Sequence, residues 1–245
     1  KDPIHVGLIG AGAQGQTLMD AVIKISKKRP VCIRAVCDIW EENRRPVSRR
    51  LTAYKVYGHY GAAYTDYQEM LDRERDLDAV IVATPDFWHA EHTVAALKKG
   101  LHVYCEKEMS NSLQDARRMV EAAQETGKLL QIGHQRRSNP KYRYAYENII
   151  KPAKILGRIT SIDGQWNRSR EACLNQGWPK GSDLDEATLN RYGYASMEQF
   201  KNWRWYKGLG GGPIVDLGSH QIDIYNWFLG TQPRSVMANG GIDYW

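Results

Sequence analysis

The chain has 245 residues, of which 42% are hydrophobic and 25% are charged, and its formal net charge is +6 at pH 7. This length provides for one large domain or two modest ones, and the composition is that of an ordinary soluble globular protein. No apolar run approaches the roughly 20 residues of a membrane span, and no basic stripe is interleaved with exposed aromatic residues. We therefore expect neither a membrane nor a nucleic-acid partner.

The sequence contains four cysteines and no CxxC pair; they are Cys32, Cys37, Cys105 and Cys173. We interpret them as small buried hydrophobic side chains in a reducing compartment, so we expect no metal site and no disulfide. No signal-peptide pattern precedes the first strand. The sequence therefore predicts a cytoplasmic protein, or a periplasmic one if a leader has been removed.

Short apolar runs alternate with helix-like stretches through the first half of the chain. Five runs are typical of strands: 4–9, 32–37, 79–83, 101–105 and 128–133. Four stretches between them are typical of helices: 15–25, 66–71, 89–99 and 113–126. Gly100 and Gly127 stand where a left-handed residue ends a helix, and Ser112 with Asp115 resembles a capping box. This alternation predicts an α/β domain with a doubly wound parallel sheet over residues 1–137.

A glycine-rich turn follows the first strand and precedes a helix, which is the context that a dinucleotide-binding motif requires. Gly10 permits the tight turn, Gly12 permits close approach of a pyrophosphate, and Gly15 permits close packing of helix on strand. The N-terminus of that helix, with Ala13 and Gln14, favours the phosphate charge. The sequence therefore predicts a nicotinamide dinucleotide cofactor.

Asp38 ends the second strand about 20 residues after the glycine turn, at the spacing of a ribose-binding acid. Its carboxylate would accept hydrogen bonds from the ribose hydroxyls of NAD and repel the 2′-phosphate of NADP. Alternatively, Asp38 only caps the loop 38–43. Arg44 and Arg45 are the residues that would favour NADP. We expect NAD, with NADP as the weaker alternative.

Two further loops leave predicted strands at the same, carboxyl-terminal edge of the sheet, where ligands bind in such domains. The first carries Thr84, Pro85 and His89, and the second carries Glu106 and Lys107. We expect all five at the cofactor. Lys107 would point towards the reactive ring, although a lysine between two acids could also be a surface charge.

The second half has a different pattern, which predicts a substrate-binding α+β domain over residues 138–245. A helix is predicted over 140–151, a strand within 155–166, a helix over 214–229 and a strand over 235–240. Between them, residues 167–204 are typical of a long excursion with little regular structure. A sheet built this way needs more strands, so we expect the sequence to be truncated.

The helix predicted over 214–229 is apolar almost all round, which is typical of a buried helix. Asp216, His220 and Asp223 nevertheless fall on one face of it, at spacings of four and three. Because unpaired charge is costly in a buried helix, this stripe must line a cavity or form a satisfied network. His220 can transfer a proton near neutral pH, and a carboxylate can orient it.

Three stretches together resemble the family of glucose–fructose oxidoreductase, inositol dehydrogenase and MocA: residues 7–15, Glu106-Lys107 and residues 211–223. The resemblance implies a Rossmann domain followed by a domain with an open, mainly antiparallel sheet. It implies that Lys107 contacts the substrate hydroxyl and the nicotinamide, and that His220 is the general acid/base with Asp216 beside it. Where the family usually has proline, this chain has Glu108, which would leave the loop freer and bring a carboxylate near Lys107.

Members of this family commonly oxidise one hydroxyl of a sugar or cyclitol to a ketone and pass hydride to NAD(P), often as dimers or tetramers. By resemblance, Gln135 and Arg136 reach the substrate from the turn between the domains. Trp166, Arg168 and Arg204 offer an aromatic face and donors suited to a sugar ring, although the tryptophans of this region could equally pack a loop over the core.

Two other functions remain open. Some relatives oxidise a sugar only transiently, as redox-assisted glycosidases or lyases that retain NAD. A non-catalytic dinucleotide sensor would keep the glycines and lose the proton-transfer groups, so the presence of Lys107, Asp216 and His220 argues against it.

Overall fold

Six parallel strands from the first half of the chain form one sheet, in the order β3-β2-β1-β4-β5-β6. The computed structural model describes residues 2–152, 155–167 and 176–241. The strands are β1 Ile4–Ile9, β2 Val31–Cys37, β3 Ala62–Tyr64, β4 Ala79–Val82, β5 His102–Cys105 and β6 Leu130–Ile132. The strand order reverses between β1 and β4, so a crevice opens at the carboxyl ends of these two strands.

Helices cover both faces of this sheet. They are α1 Ala13–Ser26, α2 Glu41–Ala53, α3 Tyr67–Arg73, α4 His89–Lys98 and α5 Leu113–Thr126. Met19 of α1 and Leu51 of α2 pack against one face, whereas Met70, Leu97 and Met119 of α3, α4 and α5 pack against the other. All five are fully buried, and burial of a side chain of this size stabilises the fold by about 1.5–3 kcal/mol. The predicted doubly wound sheet is thereby confirmed.

The predicted helix ends are confirmed as well. The Ser112 hydroxyl accepts a hydrogen bond from the N–H of Asp115 at 3.3 Å and so caps α5. Gly100 and Gly127 have φ angles of 83° and 64°, in the left-handed region that a residue with a Cβ atom rarely adopts. The cysteines at 32, 37 and 105 are buried and free, while Cys173 lies outside the described residues.

The sequence does not predict α2 or β3. Helix α2 has a mean hydropathy well below zero, Pro46 lies inside it, and only Val47 and Leu51 are buried, so its apolar stripe is too sparse to recognise. Strand β3 is three residues long and pairs only with β2, at the edge of the sheet. Its position is set by its neighbour and not by an apolar run of its own.

The glycine turn brings α1 into direct contact with β1 and β4. A Cβ atom on Gly10 would lie 2.5 Å from the carbonyl oxygen of Ala83, and one on Gly15 would lie 2.0 Å from the carbonyl oxygen of Gly10. Gly10 also has a φ of 93°. At Gly12, by contrast, a Cβ atom would meet only the Asn43 amide at 3.9 Å. The first and third glycines therefore serve packing, and the second leaves open space in front of the turn.

Residues 176–209, called here the docked segment, fold back onto the sheet domain, so the prediction of an irregular excursion is wrong for this part. The segment contains α7 Glu186–Arg191, α8 Met197–Asn202 and a 3-10 turn at Trp203–Trp205. Its apolar residues surround Trp40, whose Nε1 donates a hydrogen bond to the Ser182 carbonyl at 2.7 Å. Scattered Gly, Pro and Asn residues mask this cluster in the sequence.

The predicted second sheet is not formed by the residues that the structure describes. Neither 155–167 nor 235–240 contains a strand, so this prediction is wrong within those ranges. A strand requires hydrogen-bonded neighbours, and neither segment lies beside another strand. In the described ranges, no helix is both long and apolar enough to cross a membrane.

Two predicted helices of the second half form with π-helical turns. The first comprises α6 Pro140–Tyr144 and the π-helical Ala145–Ile150; the second comprises the π-helical Ile214–Gly218 and α9 Ser219–Leu229. The prediction that the second helix is buried all round is wrong. Ile214 is 64% exposed and Ile222 is 44% exposed, whereas His220 and Ile224 are buried. Trp227 and Phe228 pack against Tyr146 of the preceding helix, so only part of the apolar surface of this helix faces outwards.

Replacement of Gly15 by alanine should destabilise the fold, because its Cβ atom would collide with the Gly10 backbone. We expect a loss of about 1–3 kcal/mol in the free energy of unfolding, measured by urea denaturation. Gly12→Ala is the matched control and should cost about 1 kcal/mol or less, since it only replaces a glycine that caps α1. Equal losses in the two variants would contradict this account of the turn.

Candidate active site

The crevice at the carboxyl edge of the sheet contains a cavity of about 490 Å³, called here the glycine cavity. It is lined by seven of the residues predicted to bind the cofactor: Gly10, Gly12, Ala13, Gln14, Asp38, Thr84 and Pro85. The first N–H groups of α1 have no acceptor within their own helix and are available to an anion. Gly15 lies behind the turn, where it serves the packing of α1.

Asp38 caps the loop that follows β2, which is one of the two roles considered for it, and it also lines the glycine cavity. One carboxylate oxygen accepts hydrogen bonds from the Ala11 N–H at 2.8 Å and the Asn43 amide at 3.3 Å, and the other accepts from the Trp40 N–H at 2.8 Å. Burial raises the pKa of this carboxyl group, against the opposing effect of these hydrogen bonds. Because a carboxylate offers about four acceptor positions, Asp38 still has capacity for a donor in the cavity.

His89 does not line a cavity, contrary to its prediction as a cofactor contact. It is fully buried, and its ring nitrogens lie 2.5 Å from the Glu108 carbonyl oxygen and 2.7 Å from that of Thr84. His89 thus connects the loop after β4 to the loop after β5. His92, one turn further along α4, lines the glycine cavity and contacts the Thr84 hydroxyl at 3.0 Å.

A second cavity of about 370 Å³, called here the lysine cavity, adjoins the first. It brings together seven residues predicted from separate parts of the sequence: Glu106, Lys107, Gln135, Trp166, Arg204, Asp216 and His220. Gln14, Thr84 and Arg204 line both cavities. The Gln14 amide also donates to Glu106 at 2.9 Å. A ligand in one cavity therefore lies directly beside a ligand in the other.

Lys107 links the sheet domain to the helix of the second half. Its ammonium group donates to the Asp216 carbonyl oxygen at 2.7 Å and lies 3.6 Å from the Asp216 carboxylate. The Glu108 carboxylate is 3.9 Å from the same ammonium, as the departure from the family pattern predicts. The Lys107–Glu108 peptide bond is cis.

The three polar residues of the predicted stripe have different partners. The Asp216 carboxylate accepts a hydrogen bond from Arg204 at 3.0 Å, and the Asp223 carboxylate pairs with Arg137 at 2.7 Å. His220 is buried, and its Nδ1 has no hydrogen-bond partner among the described residues. Among the described residues no carboxylate is hydrogen-bonded to the imidazole, because Arg204 and Arg137 bind Asp216 and Asp223. The expectation that one of these two acids orients His220 is therefore wrong.

The environment of His220 keeps the imidazole neutral. Burial, together with the positive charges of Lys107 and Arg136, lowers its pKa to about 4. The ring is stacked on Trp166, with 5.6 Å between centroids. Arg136 is not among the residues that line the lysine cavity. Its guanidinium lies over the Trp166 ring, 4.9 Å from the ring centroid. Arg168 lies outside the described residues.

The sequence gives only a weak signal for Asp86, which also lines the lysine cavity. This carboxyl group is buried and has no hydrogen bond among the described residues. Burial raises its pKa to about 7, while Lys107 and Arg204 lower it and Glu108 and Asp216 raise it further. The available signal is its position directly after Thr84-Pro85, at the carboxyl edge of the sheet.

The docked segment supplies further residues to the wall of the glycine cavity. Tyr192, Tyr194, Phe200, Lys201 and Trp203 line the side of the glycine cavity that faces away from the strands. Trp203 also packs against Trp40 in the cluster. Trp203 is therefore part of the core and also lines the cavity, while its contact with a sugar ring stays a prediction. Sequence periodicity gives no signal for this wall, because it depends on where the segment docks.

Asp86→Asn should stabilise the protein at high pH and have little effect at low pH. Folding raises the pKa of Asp86 from 3.8 to about 7, so the folded state favours the protonated acid. The free energy of unfolding therefore falls as the pH rises through this interval. We expect the variant to gain about 2–4 kcal/mol in the free energy of unfolding near pH 8 and much less near pH 4. Urea denaturation at both pH values measures this, with exposed Asp163→Asn as the control. A gain that does not depend on pH would contradict it.

Comparison with known proteins identifies similar sequences for both halves. Residues 4–134 match the model of an oxidoreductase family with an NAD-binding Rossmann fold, and residues 152–244 match the GFO/IDH/MocA C-terminal domain. The 4-carboxy-2-hydroxymuconate-6-semialdehyde dehydrogenase of a Sphingobium strain is 35% identical over 150 residues, which are 60% of this chain and 43% of that protein.

Other relatives match over nearly the whole chain. The D-glucoside 3-dehydrogenase of Escherichia coli is 27% identical over 98% of this chain and 58% of its own length. The crystal structure of scyllo-inositol dehydrogenase from Lactobacillus casei with NAD(H) and scyllo-inositol shares the fold, with a TM-score of 0.65 at 21% identity. That match covers 94% of this chain and 57% of that protein. The chain thus spans about half the length of these relatives.

The order of the strands, the glycine turn between β1 and α1, and the two family matches agree with the resemblance seen in the sequence. The chain belongs to the Gfo/Idh/MocA family of oxidoreductases.

Proposed function

We propose that this protein is an NAD-dependent oxidoreductase that transfers hydride between a hydroxyl-bearing carbon of a sugar, glycoside or cyclitol and the nicotinamide. The observation that supports it is that two cavities lie side by side at the carboxyl edge of the sheet. The glycine cavity suits a dinucleotide, and the lysine cavity beside it holds an ammonium, an imidazole and carboxyl groups. The activities named for relatives such as the D-glucoside dehydrogenase are of the same class.

The glycine cavity fits NAD in both shape and donors. Space lies in front of Gly12, the N-terminus of α1 points into the cavity, and Asp38 stands where ribose hydroxyls would donate. We assign the pyrophosphate to the backbone of Ala13 and Gln14, and the adenosine ribose to Asp38, which favours NAD over NADP. NAD, when bound, supplies the hydride acceptor next to Glu106 and Lys107.

His220 and Lys107 carry the proton chemistry in this proposal. A neutral imidazole is the form that accepts a proton, and the lowered pKa keeps His220 neutral through the physiological range. The Lys107 ammonium donates to the substrate oxygen and stabilises the negative charge that develops there. Asp216 positions Lys107 through its carbonyl oxygen and Arg204 through its carboxylate.

The substrate-binding residues are assigned from the wall of the lysine cavity. Gln135 and Arg204 offer donors, and Trp166 offers the flat apolar face on which a sugar ring packs. Arg136 supports the indole from outside the cavity. Arg168 stays in this assignment as a sequence prediction.

A redox-assisted glycosidase or lyase would use the same site and retain the cofactor. The docked segment favours this second candidate, because Tyr194, Lys201 and Trp203 add a wall to the glycine cavity and so enclose a dinucleotide bound there more fully. The two candidates differ in net chemistry, since only the dehydrogenase accumulates NADH.

The proposal includes the organisation of the chain. We propose that residues 1–137 bind the cofactor and residues 138–245 the substrate, and that the protein is cytoplasmic and homo-oligomeric. The apolar side chains that Ile214, Ile222 and Leu229 expose support self-association. Light scattering of the full-length protein measures the oligomeric state.

The experiment that tests the function is a screen of sugars, cyclitols and glycosides with NAD and the full-length protein. Absorbance reports NADH, and chromatography reports any released aglycone. NADH formation with one class of polyol supports the dehydrogenase, and aglycone release without NADH supports the second candidate. Absence of both, together with intact NAD binding, would favour the sensor.

His220→Ala should abolish turnover and leave NAD affinity unchanged, because the imidazole faces the lysine cavity and not the glycine cavity. We expect a loss of roughly 100-fold or more in kcat, the range for a general base. The control is His102→Ala, at the opposite, amino-terminal end of β5. Turnover by the His220 variant at the normal rate would remove His220 from the mechanism, and loss of NAD affinity would give it a structural role.

A further inference from the structure

Lys201 projects from α8 of the docked segment into the glycine cavity, and it also lines the lysine cavity. Its ammonium group has no hydrogen bond and no ion pair among the described residues. Its contact is the face of the Trp40 ring, at 4.4 Å from the ring centroid. Lys201 is therefore a half-buried cation that faces a cavity without an anionic partner.

Such an arrangement costs free energy unless a ligand completes it. Burial lowers the pKa of Lys201, and the charge of Asp38 opposes this shift. The Asp38 carboxylate accepts its hydrogen bonds from two backbone N–H groups and the Asn43 amide, and it makes no hydrogen bond or ion pair with the Lys201 ammonium. Arg204, the other long basic side chain shared by the two cavities, is paired with Asp216 at 3.0 Å. Lys201 is thus the basic side chain of this wall that is left for an incoming anion.

The position of Lys201 is fixed by the packing around α8. Ser196 caps the helix by accepting a hydrogen bond from the Gln199 N–H at 3.1 Å. Met197 and Trp203, on either side of Lys201, are buried in the cluster around Trp40. Asn202 is buried and accepts a hydrogen bond from the Gln176 N–H at 2.9 Å. Because these contacts hold α8 in place, no loop has to become ordered before the Lys201 ammonium group faces the cavity.

A dinucleotide brings negative charge to this place. The glycine turn and α1 supply N–H groups but no side-chain cation, and Asp38 adds negative charge. We propose that Lys201 binds a phosphate group of the dinucleotide, so that the second half of the chain contributes a cation to the cofactor site. This inference rests on the proposed function, because it assigns the glycine cavity to NAD. The phosphate is either the pyrophosphate or the 2′-phosphate of NADP, and Lys201 lines the same cavity as the glycine turn.

The test is calorimetric titration of Lys201→Met with NAD and with NADP. A charge-assisted hydrogen bond of this kind corresponds to a loss of roughly 10- to 100-fold in affinity. A pyrophosphate contact weakens both dinucleotides equally, whereas a 2′-phosphate contact weakens NADP alone. Lys201→Arg keeps the charge and should retain most of the affinity. Lys207→Met, at an exposed lysine of the same segment, should bind as the parent does.

Two results separate this inference from the proposed function. If the parent binds NAD and Lys201→Met binds each dinucleotide as tightly as the parent does, the inference is overturned and the proposed function stands. If the parent binds neither dinucleotide, both are overturned. Folding is checked independently by thermal melting without cofactor. Removal of an unpaired, half-buried charge should leave the melting temperature unchanged or raise it, so a loss of affinity at an undiminished melting temperature supports the phosphate contact.

Discussion

The hydrogen bond from the Lys107 ammonium to the carbonyl oxygen of Asp216 joins the two halves of the chain where their cavities meet. Lys107 belongs to the loop after β5, and Asp216 to the π-helical turn that leads into α9. The bond fixes the distance between the sheet edge and the helix that carries His220. The carboxyl ends of the parallel strands all lie at one edge of the sheet, and residues of the second half line the cavities at that edge.

Burial has opposite effects on the pKa values of His220 and Asp86, which both line the lysine cavity. Loss of water disfavours any charged form, so it lowers the pKa of His220 to about 4 and raises that of Asp86 to about 7. Between these values the imidazole is neutral and the carboxyl group is protonated. The cavity therefore contains a proton acceptor and a proton donor at the same pH, while Lys107 and Arg204 retain their interactions with Asp216.

The sheet domain was largely predictable from the sequence because its central strands β1, β2 and β4 are mostly buried apolar runs and because helices such as α5 carry signals at their ends. Strand β1 and helix α5 have the predicted bounds. Helix α2 was not predictable because its many charged residues leave too few apolar positions to form a pattern. Strand β3 was not predictable because its position depends on its pairing with β2. In the site, Lys107, Asp216 and His220 meet in one cavity as predicted. The partners of the acids were not predictable, because Arg137 and Arg204 reach them only through tertiary contacts.

The docked segment shows the same limit of sequence reasoning at a larger scale. Local composition indicates a polar excursion, whereas Trp40, far away in the chain, provides the surface on which Leu189, Tyr194 and Met197 are buried. The residues of such a cluster are not regularly spaced in the sequence, so no pattern reveals them. The effect of the cluster on the site is nevertheless direct, because α8 forms one wall of the glycine cavity.

Tryptophans surround both cavities. Trp88 and Trp203 line the glycine cavity, and Trp166 and Trp205 line the lysine cavity with Trp203. Indole emission overlaps the absorption of a reduced nicotinamide, so excitation of these rings transfers energy to a dihydronicotinamide held among them. Under the proposed function, intrinsic fluorescence would therefore report the redox state of a nicotinamide bound in these cavities, and turnover could be followed without an added label.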